Sequence, residues 1–196
     1  ARRDNWSRYW AGGALHSCAG TFQGNYAGPV RQFWRDRLAA LPPGARLLDL
    51  ATGNGALPAL FLEEATPPDL QIDAVDLAAV SPPWLPSLPE PVQRRVVFHS
   101  GVAAEHLPFA DAAFDAVVSQ FGLEYTDLSG AVPELVRVLR PGGQVGLVLH
   151  ASDSLVLRQA REELGHLAWL QRNSTLLAQC RSMCDAMALA ATEAGR

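Results

Sequence analysis

Arg46-Leu47-Leu48-Asp49-Leu50-Ala51-Thr52-Gly53-Asn54-Gly55 is an apolar run that carries one carboxylate and stops at a Gly-x-Gly turn. Twenty-one residues after Gly55, a second apolar run ends in Asp76. Glycine lets the backbone turn tightly and approach a ligand that a Cβ would exclude. An acid at the tip of the next strand accepts hydrogen bonds from ribose hydroxyls. Both features fall at the carboxyl ends of predicted strands, where open α/β sheets bind ligands. The spacing therefore predicts a cofactor site.

Outward from that stretch, apolar runs alternate with helical or irregular connections. Strands are predicted at 46 to 51, 70 to 76, 94 to 99, 113 to 119 and 143 to 149, and helices at 56 to 65 and 129 to 139. The strands read as nearly continuous apolar runs, which indicates a parallel sheet covered on both faces. The expected fold is thus α/β: a three-layer sandwich around a mostly parallel, doubly wound, Rossmann-like sheet. Pro58 falls in the first turn of the helix after Gly55, where a missing amide costs nothing. Residues 80 to 91 carry five prolines, so an extended segment replaces part of the usual crossover helix. Pro141-Gly142-Gly143 turns the chain into the fifth strand. Beyond His150 the pattern is helical, over 153 to 171 and 175 to 193.

Residues 1 to about 40 are rich in aromatics: Trp6, Tyr9, Trp10, Phe22, Tyr26, Phe33 and Trp34. The spacing Val30-Phe33-Trp34-Leu38 is helical, and Pro42-Pro43-Gly44 ends that helix. The organisation expected is a helical lid over 1–40, an α/β core over 41–151, and a helical part of the same domain over 152–196.

With 196 residues, 48% of them hydrophobic, the chain is long enough to bury a core. Its net charge of −4 sets 20 acids against 16 basic residues, all arginine. Basic residues adjoin only in the pairs Arg2-Arg3 and Arg94-Arg95, so no nucleic-acid partner is expected. The lysine-free, Ala/Leu/Arg-rich composition suggests a GC-rich bacterial genome. Cys18, Cys180 and Cys184 show no zinc-type pairing, and no signal peptide or membrane-length apolar stretch is visible. A cytoplasmic protein without a bound metal is expected. Cys180 and Cys184, four apart, read as small buried side chains on one helical face rather than as ligands with His166.

A glycine turn of this kind is shared with dinucleotide enzymes. Here the full Gly-x-Gly-x-x-Gly fails, because Pro58 takes the third glycine position. Asp49 lies inside a strand, where an acid is costly unless it organises the turn or meets a ligand ammonium. Those departures favour S-adenosylmethionine over nicotinamide. From about residue 45 to 150 the sequence resembles the class I S-adenosylmethionine-dependent methyltransferases, especially the small-molecule enzymes of quinone-biosynthesis type. Four ordered blocks carry the resemblance: residues 48 to 55, Asp76, Gly101 to Phe109, and Leu139 to Gly143.

The resemblance implies that S-adenosyl-L-methionine is bound, and S-adenosyl-L-homocysteine left, by Asp49, Ala51, Thr52, Gly53, Asn54 and Gly55 at the turn. It further implies ribose contacts from Asp76 with Leu77 beside it, adenine contacts from Gly101, Val102, Ala103 and Ala104, and contacts from Gln120 and Phe121. Relatives often carry Asp where this chain has Val102, so adenine N6 would need a backbone carbonyl or Glu105. The family's last two antiparallel strands find no clear counterpart in the helical tail.

Methyl transfer from a sulfonium is an in-line displacement, so positioning the acceptor supplies much of catalysis. Residues after the fourth and fifth strands should face that point: Gln120 to Tyr125, then His150. Trp10, Tyr26, Glu124 and Tyr125 are the expected substrate pocket, favouring a flat or aromatic small molecule. Trp34, on an apolar helical stripe, reads as core before lid. His150 is the candidate general base. Two rival readings are a degenerate methyltransferase-like binding or scaffold module and an NAD-dependent oxidoreductase.

Overall fold

The computed structural model describes residues 2–17, 24–64, 69–173 and 175–193. Five parallel strands form one sheet: β1 (Arg46–Leu50), β2 (Gln71–Asp76), β3 (Val96–Ser100), β4 (Phe114–Gln120) and β5 (Leu139–Val148), in the order β3-β2-β1-β4-β5. The chain winds one way from β1 to β3 and the other from β4 to β5. The reversal between β1 and β4 opens a crevice at the carboxyl ends of those strands. Asp49 pairs in register with Ala74 on β2 and Val118 on β4, at the centre of the sheet.

Alternation along β1 divides the core. Leu47 joins Trp34, Leu38, Phe61, Ile72 and Val118 on one face, beneath α2 (Gly28–Ala39) and α3 (Ala56–Glu64). Leu48 and Leu50 join Val75, Phe114, Val117, Leu135 and Val138 on the other, beneath α5 (Leu128–Val138). Both sheet faces are thus covered, as the continuous apolar strands require. Asp127 caps α5 by accepting from Ser129 N at 3.0 Å.

The proline-rich connection is irregular, as expected: a single 3-10 turn at Leu85–Ser87 and the one-turn α4 (Glu90–Gln93). Strand β5 begins earlier than the Pro-Gly-Gly sequence suggests. Leu139 pairs with Phe114, then Gln144 with Ala116, so residues 140 to 143 bulge out of an otherwise continuous ladder. Helix α1 (Arg2–Ala11) lies in the segment expected to be helical, where no bounds were predicted for it.

The chain divides into two compact units, residues up to Leu149 and residues from His150 onward. The second consists of α6 (Leu155–Asn173) and α7 (Leu176–Glu193). Cys180 and Cys184 on α7 are exposed rather than buried, and Cys18 lies outside the described residues. Among the described residues, no helix is long and apolar enough to cross a membrane, and no cluster of His, Cys, Asp and Glu is suited to a metal.

Candidate functional site

The turn after β1 is held by its neighbour strand. Thr52 N donates to Val75 O at 3.0 Å, and Gly53 N donates to Asp76 Oδ2 at 2.8 Å. The other Asp76 oxygen accepts from Ala78 N at 2.8 Å. One carboxylate therefore ties the glycine turn to the end of β2. Each carboxylate oxygen offers about two acceptor sites, so both retain capacity for a ligand hydroxyl. Gly53 and Gly55 have φ of +56° and +77°, and a Cβ on either would lie 2.5 Å from an aromatic carbon, of Trp10 and Phe98 respectively. Glycine is required there by conformation and by space.

Burial pushes the Asp49 carboxyl up to about 7; the Thr52 hydroxyl, in a contact looser than a hydrogen bond, opposes the shift, and the charge of Asp76 adds to it. Burial also raises Asp76, against the pull of the Ala78 and Gly53 amides. Asp49 Oδ2, Thr52 Oγ1 and Asn54 Oδ1 are buried and accept no hydrogen bond among the described residues. Buried oxygens left this way are costly, and an incoming ammonium or hydroxyl would satisfy them.

Above the turn lies an open-sided cleft whose walls are mostly apolar and aromatic with a few polar groups among them, the usual make-up of a small-molecule site. Helix α1 and the segment after it close one side. Asn54 Nδ2 donates to Trp10 O and Ala14 O at 2.9 and 2.8 Å, and Ala79 N donates to Ser7 Oγ at 3.0 Å. The Arg2 guanidinium donates to Tyr125 O and lies 3.9 Å from Glu105. Trp6 stacks on Trp10 and meets Tyr125 edge-on, with centroids 5.7 and 5.5 Å apart. Tyr26 stacks on His16 at 4.9 Å, and His16 Nε2 is 2.9 Å from Gly24 O.

The opposite floor comes from the end of β4. Ser119 Oγ donates to Leu50 O at 2.8 Å and accepts from Leu123 N at 3.2 Å, fastening the following loop to β1. Phe121 adopts φ +52°, and its N donates to Val148 O at 2.8 Å. Ala51, also at positive φ, lines the same cleft. Such non-glycine strain collects at functional sites. Trp34, fully buried, donates its indole N–H to Gln120 Oε1. The loop after β3 is fixed from outside: Glu134 accepts from Leu107 N at 2.7 Å, and Arg137 donates to Phe109 O and Leu107 O.

Of the residues expected around the cofactor, Ala51, Thr52, Asp76, Leu77, Val102, Ala104, Gln120 and Phe121 line this cleft. Asp49 sits inside β1 beneath the turn, with Gly53 and Asn54 against Trp10. Gly55 packs under Phe98, and Gly101 and Ala103 are not among the walls. Trp10, Tyr26 and Tyr125 line the cleft, whereas Glu124 does not. His150 begins the second unit. Glu105, the alternative expected for adenine N6, also lines the cleft, whereas sequence reading missed Arg2, Trp6 and His16 as wall residues. For Trp6 a signal existed, since Trp6 and Trp10 share a helical face at i,i+4; for His16 none did.

A family model described as a methyltransferase domain matches residues 48–147. The demethylmenaquinone methyltransferase of Roseiflexus sp. (strain RS-1) is 38% identical over 145 residues, which cover 72% of this chain and 56% of the relative. The chain thus spans about half the length of the curated relatives it matches. Among solved structures, the [4+2]-cyclase SpnF superposes with a TM-score of 0.54 at 27% identity, over 78% of this chain and 59% of the cyclase. A geranyl diphosphate methyltransferase, solved with GPP and sinefungin, superposes at 0.61 over 82% and 73% of the two chains; at 18% identity it shows the fold alone.

Proposed function

The chain belongs to the class I S-adenosylmethionine-dependent methyltransferases, and from that premise we propose that it transfers a methyl group from S-adenosylmethionine to a small, flat, aromatic acceptor. The observation that carries the reading is Asp76, whose carboxylate is tied to the Gly53 amide at 2.8 Å while keeping acceptor capacity at the mouth of the cleft. When bound, the cofactor supplies an electrophilic methyl group. Asp76 would accept the ribose hydroxyls, and Asp49 with Thr52 would receive the amino group at their unsatisfied oxygens. Val102 and Ala104 would flank the adenine.

The aromatic walls hold the acceptor and exclude water, and pre-positioning of this kind accounts for a large part of a displacement's acceleration. Trp6, Trp10, Tyr26 and Tyr125 supply flat apolar surface for a ring. The name demethylmenaquinone methyltransferase, borne by relatives 37 to 40% identical, supports an aromatic acceptor. His150, two residues beyond the end of β5, is the proposed base where an acceptor needs one.

Mass spectrometry of the purified protein for co-purified S-adenosylmethionine or S-adenosylhomocysteine, followed by calorimetry with each, tests the reading. Saturable S-adenosylhomocysteine binding is expected. Tight NAD binding with no response to S-adenosylhomocysteine would overturn it.

A further inference from the structure

The polar groups left unsatisfied around the cleft are of opposite kinds. On the turn side they are oxygens: Asp49 Oδ2, Thr52 Oγ1 and Asn54 Oδ1. On the β4 side the unsatisfied atom is a donor, Gln120 Nε2, buried without a partner among the described residues, in a side chain only 8% exposed that lines the cleft. Its orientation is chemically determined. An indole N–H only donates, so the Gln120 atom facing Trp34 Nε1 is the carbonyl oxygen, and the NH2 group points away from it. Trp34 is immobilised in the core against Phe61 and Phe33, with ring centroids 5.8 and 4.9 Å away, so the amide cannot flip to hide its donor.

We propose that Gln120 reads the methyl acceptor, its amide N–H binding an oxygen of that acceptor, and that the acceptor is an aromatic compound bearing a phenolic or carbonyl oxygen rather than an ammonium. The inference rests on the methyl-transfer reading of the cleft. It replaces the cofactor contact that sequence reasoning gives Gln120.

The aromatic walls alone would suit an ammonium equally well through cation–π attraction. The charges argue against one. Asp76 is taken up by two backbone amides and, in the methyl-transfer reading, by the ribose, and Glu105 accepts from Asp127 N at 2.7 Å and faces Arg2. The remaining need on the acceptor side is for a lone pair, which an ammonium lacks and a phenolic or carbonyl oxygen has. Trp34 acts as a positioning residue, holding the donor in the one orientation that discriminates.

The test is equilibrium dialysis of the protein saturated with S-adenosylhomocysteine against three probes of one shape: 1-naphthol, naphthalene and 1-naphthylmethylamine. 1-Naphthol is expected to bind about three- to tenfold tighter than naphthalene, the ratio one neutral hydrogen bond gives, and tighter than the amine. Gln120→Met removes the donor at similar side-chain length and offers no carboxylate to which the naphthol O–H could donate. It should bring the naphthol-to-naphthalene ratio to about one and leave S-adenosylhomocysteine affinity within about twofold.

Equal binding of all three probes, or tighter binding of the amine, overturns the proposal without need of any variant. So does a Gln120→Met protein that keeps the naphthol preference, whether or not it still binds S-adenosylhomocysteine, because Gln120 then does not read the acceptor. Failure of S-adenosylhomocysteine to bind, with the naphthol preference intact on the free protein, defeats the methyl-transfer reading and sustains the Gln120 one.

Discussion

The indole of Trp10 lies directly over the α-carbon of Gly53, so close that a Cβ at 53 would sit 2.5 Å from Trp10 Cζ2. The amino-terminal helix and the cofactor turn are thereby one packed unit, also joined by Asn54 Nδ2 to Trp10 O. Gly53→Ala meets two obstacles: a positive φ, costing about 1–2 kcal/mol, and the indole. In a Trp10→Ala background only the first remains. Chemical denaturation of both singles and the double should show a coupling of about 0.5–3 kcal/mol. An equal cost of Gly53→Ala in both backgrounds would remove Trp10 from the turn.

Asp76→Asn keeps one oxygen for the backbone and removes the charge that would hold the ribose. Calorimetry should show S-adenosylhomocysteine binding weakened by about 1–3 kcal/mol, the range for losing hydrogen bonds to a charged acceptor. Circular dichroism should show the fold retained. Unchanged affinity would take Asp76 off the ribose.

What the sequence disclosed, and what it hid, follows the range of the interactions concerned. Gly53 and Asp76 were legible because turn conformation and strand periodicity are local, and their twenty-three-residue separation is that of one strand-helix-strand unit. Helix α1 was legible only as part of a helical lid, without bounds of its own. Its segment Arg2–Ala11 holds four charges and only a short aromatic stripe, and what stabilises it is distant: Tyr125 against Trp6, Asn54 on Trp10 O, Ala79 on Ser7. Trp34 was rightly read as core from its helical stripe, yet its bond to Gln120, 86 residues away, had no sequence signature. The early start of β5 was hidden by Pro141-Gly142-Gly143, which reads as a turn and is a bulge within the strand.

The lid proposal gains a specific protease site. Arg8 lies on α1 near the cleft residues Trp6 and Trp10, and trypsin cuts this lysine-free chain only at arginine. If residues 1–40 close over the bound cofactor, S-adenosylhomocysteine should slow cleavage after Arg8, which requires local opening of the helix. Quantifying the amino-terminal fragment by mass spectrometry decides the matter. Cleavage at the same rate with and without the ligand would defeat the lid.

His150→Gln separates a base from a packing residue. General-base catalysis contributes about 10²- to 10⁴-fold in rate, so turnover of a phenolic acceptor should fall by that order while S-adenosylhomocysteine affinity holds. A variant that melts earlier yet turns over normally would leave His150 a structural role alone.

The last prediction concerns the pH at which the cofactor binds. Burial raises the Asp49 carboxyl from its ordinary 3.8 to about 7, so in the folded protein it stays largely protonated well above the pH at which it ionises in the unfolded chain. The sign follows from linkage: the stability this group contributes is complete below about 4 and is lost as pH rises through about 7. Asp49→Asn should therefore flatten the fall in stability between about pH 4 and 7. Binding runs the other way. A cofactor ammonium against the unsatisfied Asp49 oxygen favours the ionised carboxylate, so S-adenosylhomocysteine affinity should rise as pH passes from 6 to 8, with protons released on binding below about 7. Calorimetry at each pH, repeated in two buffers of different ionisation enthalpy, measures affinity and proton release together. In Asp49→Asn both pH dependences should be lost; a wild-type affinity that is level from pH 6 to 8 with no proton release would place the amino group away from Asp49.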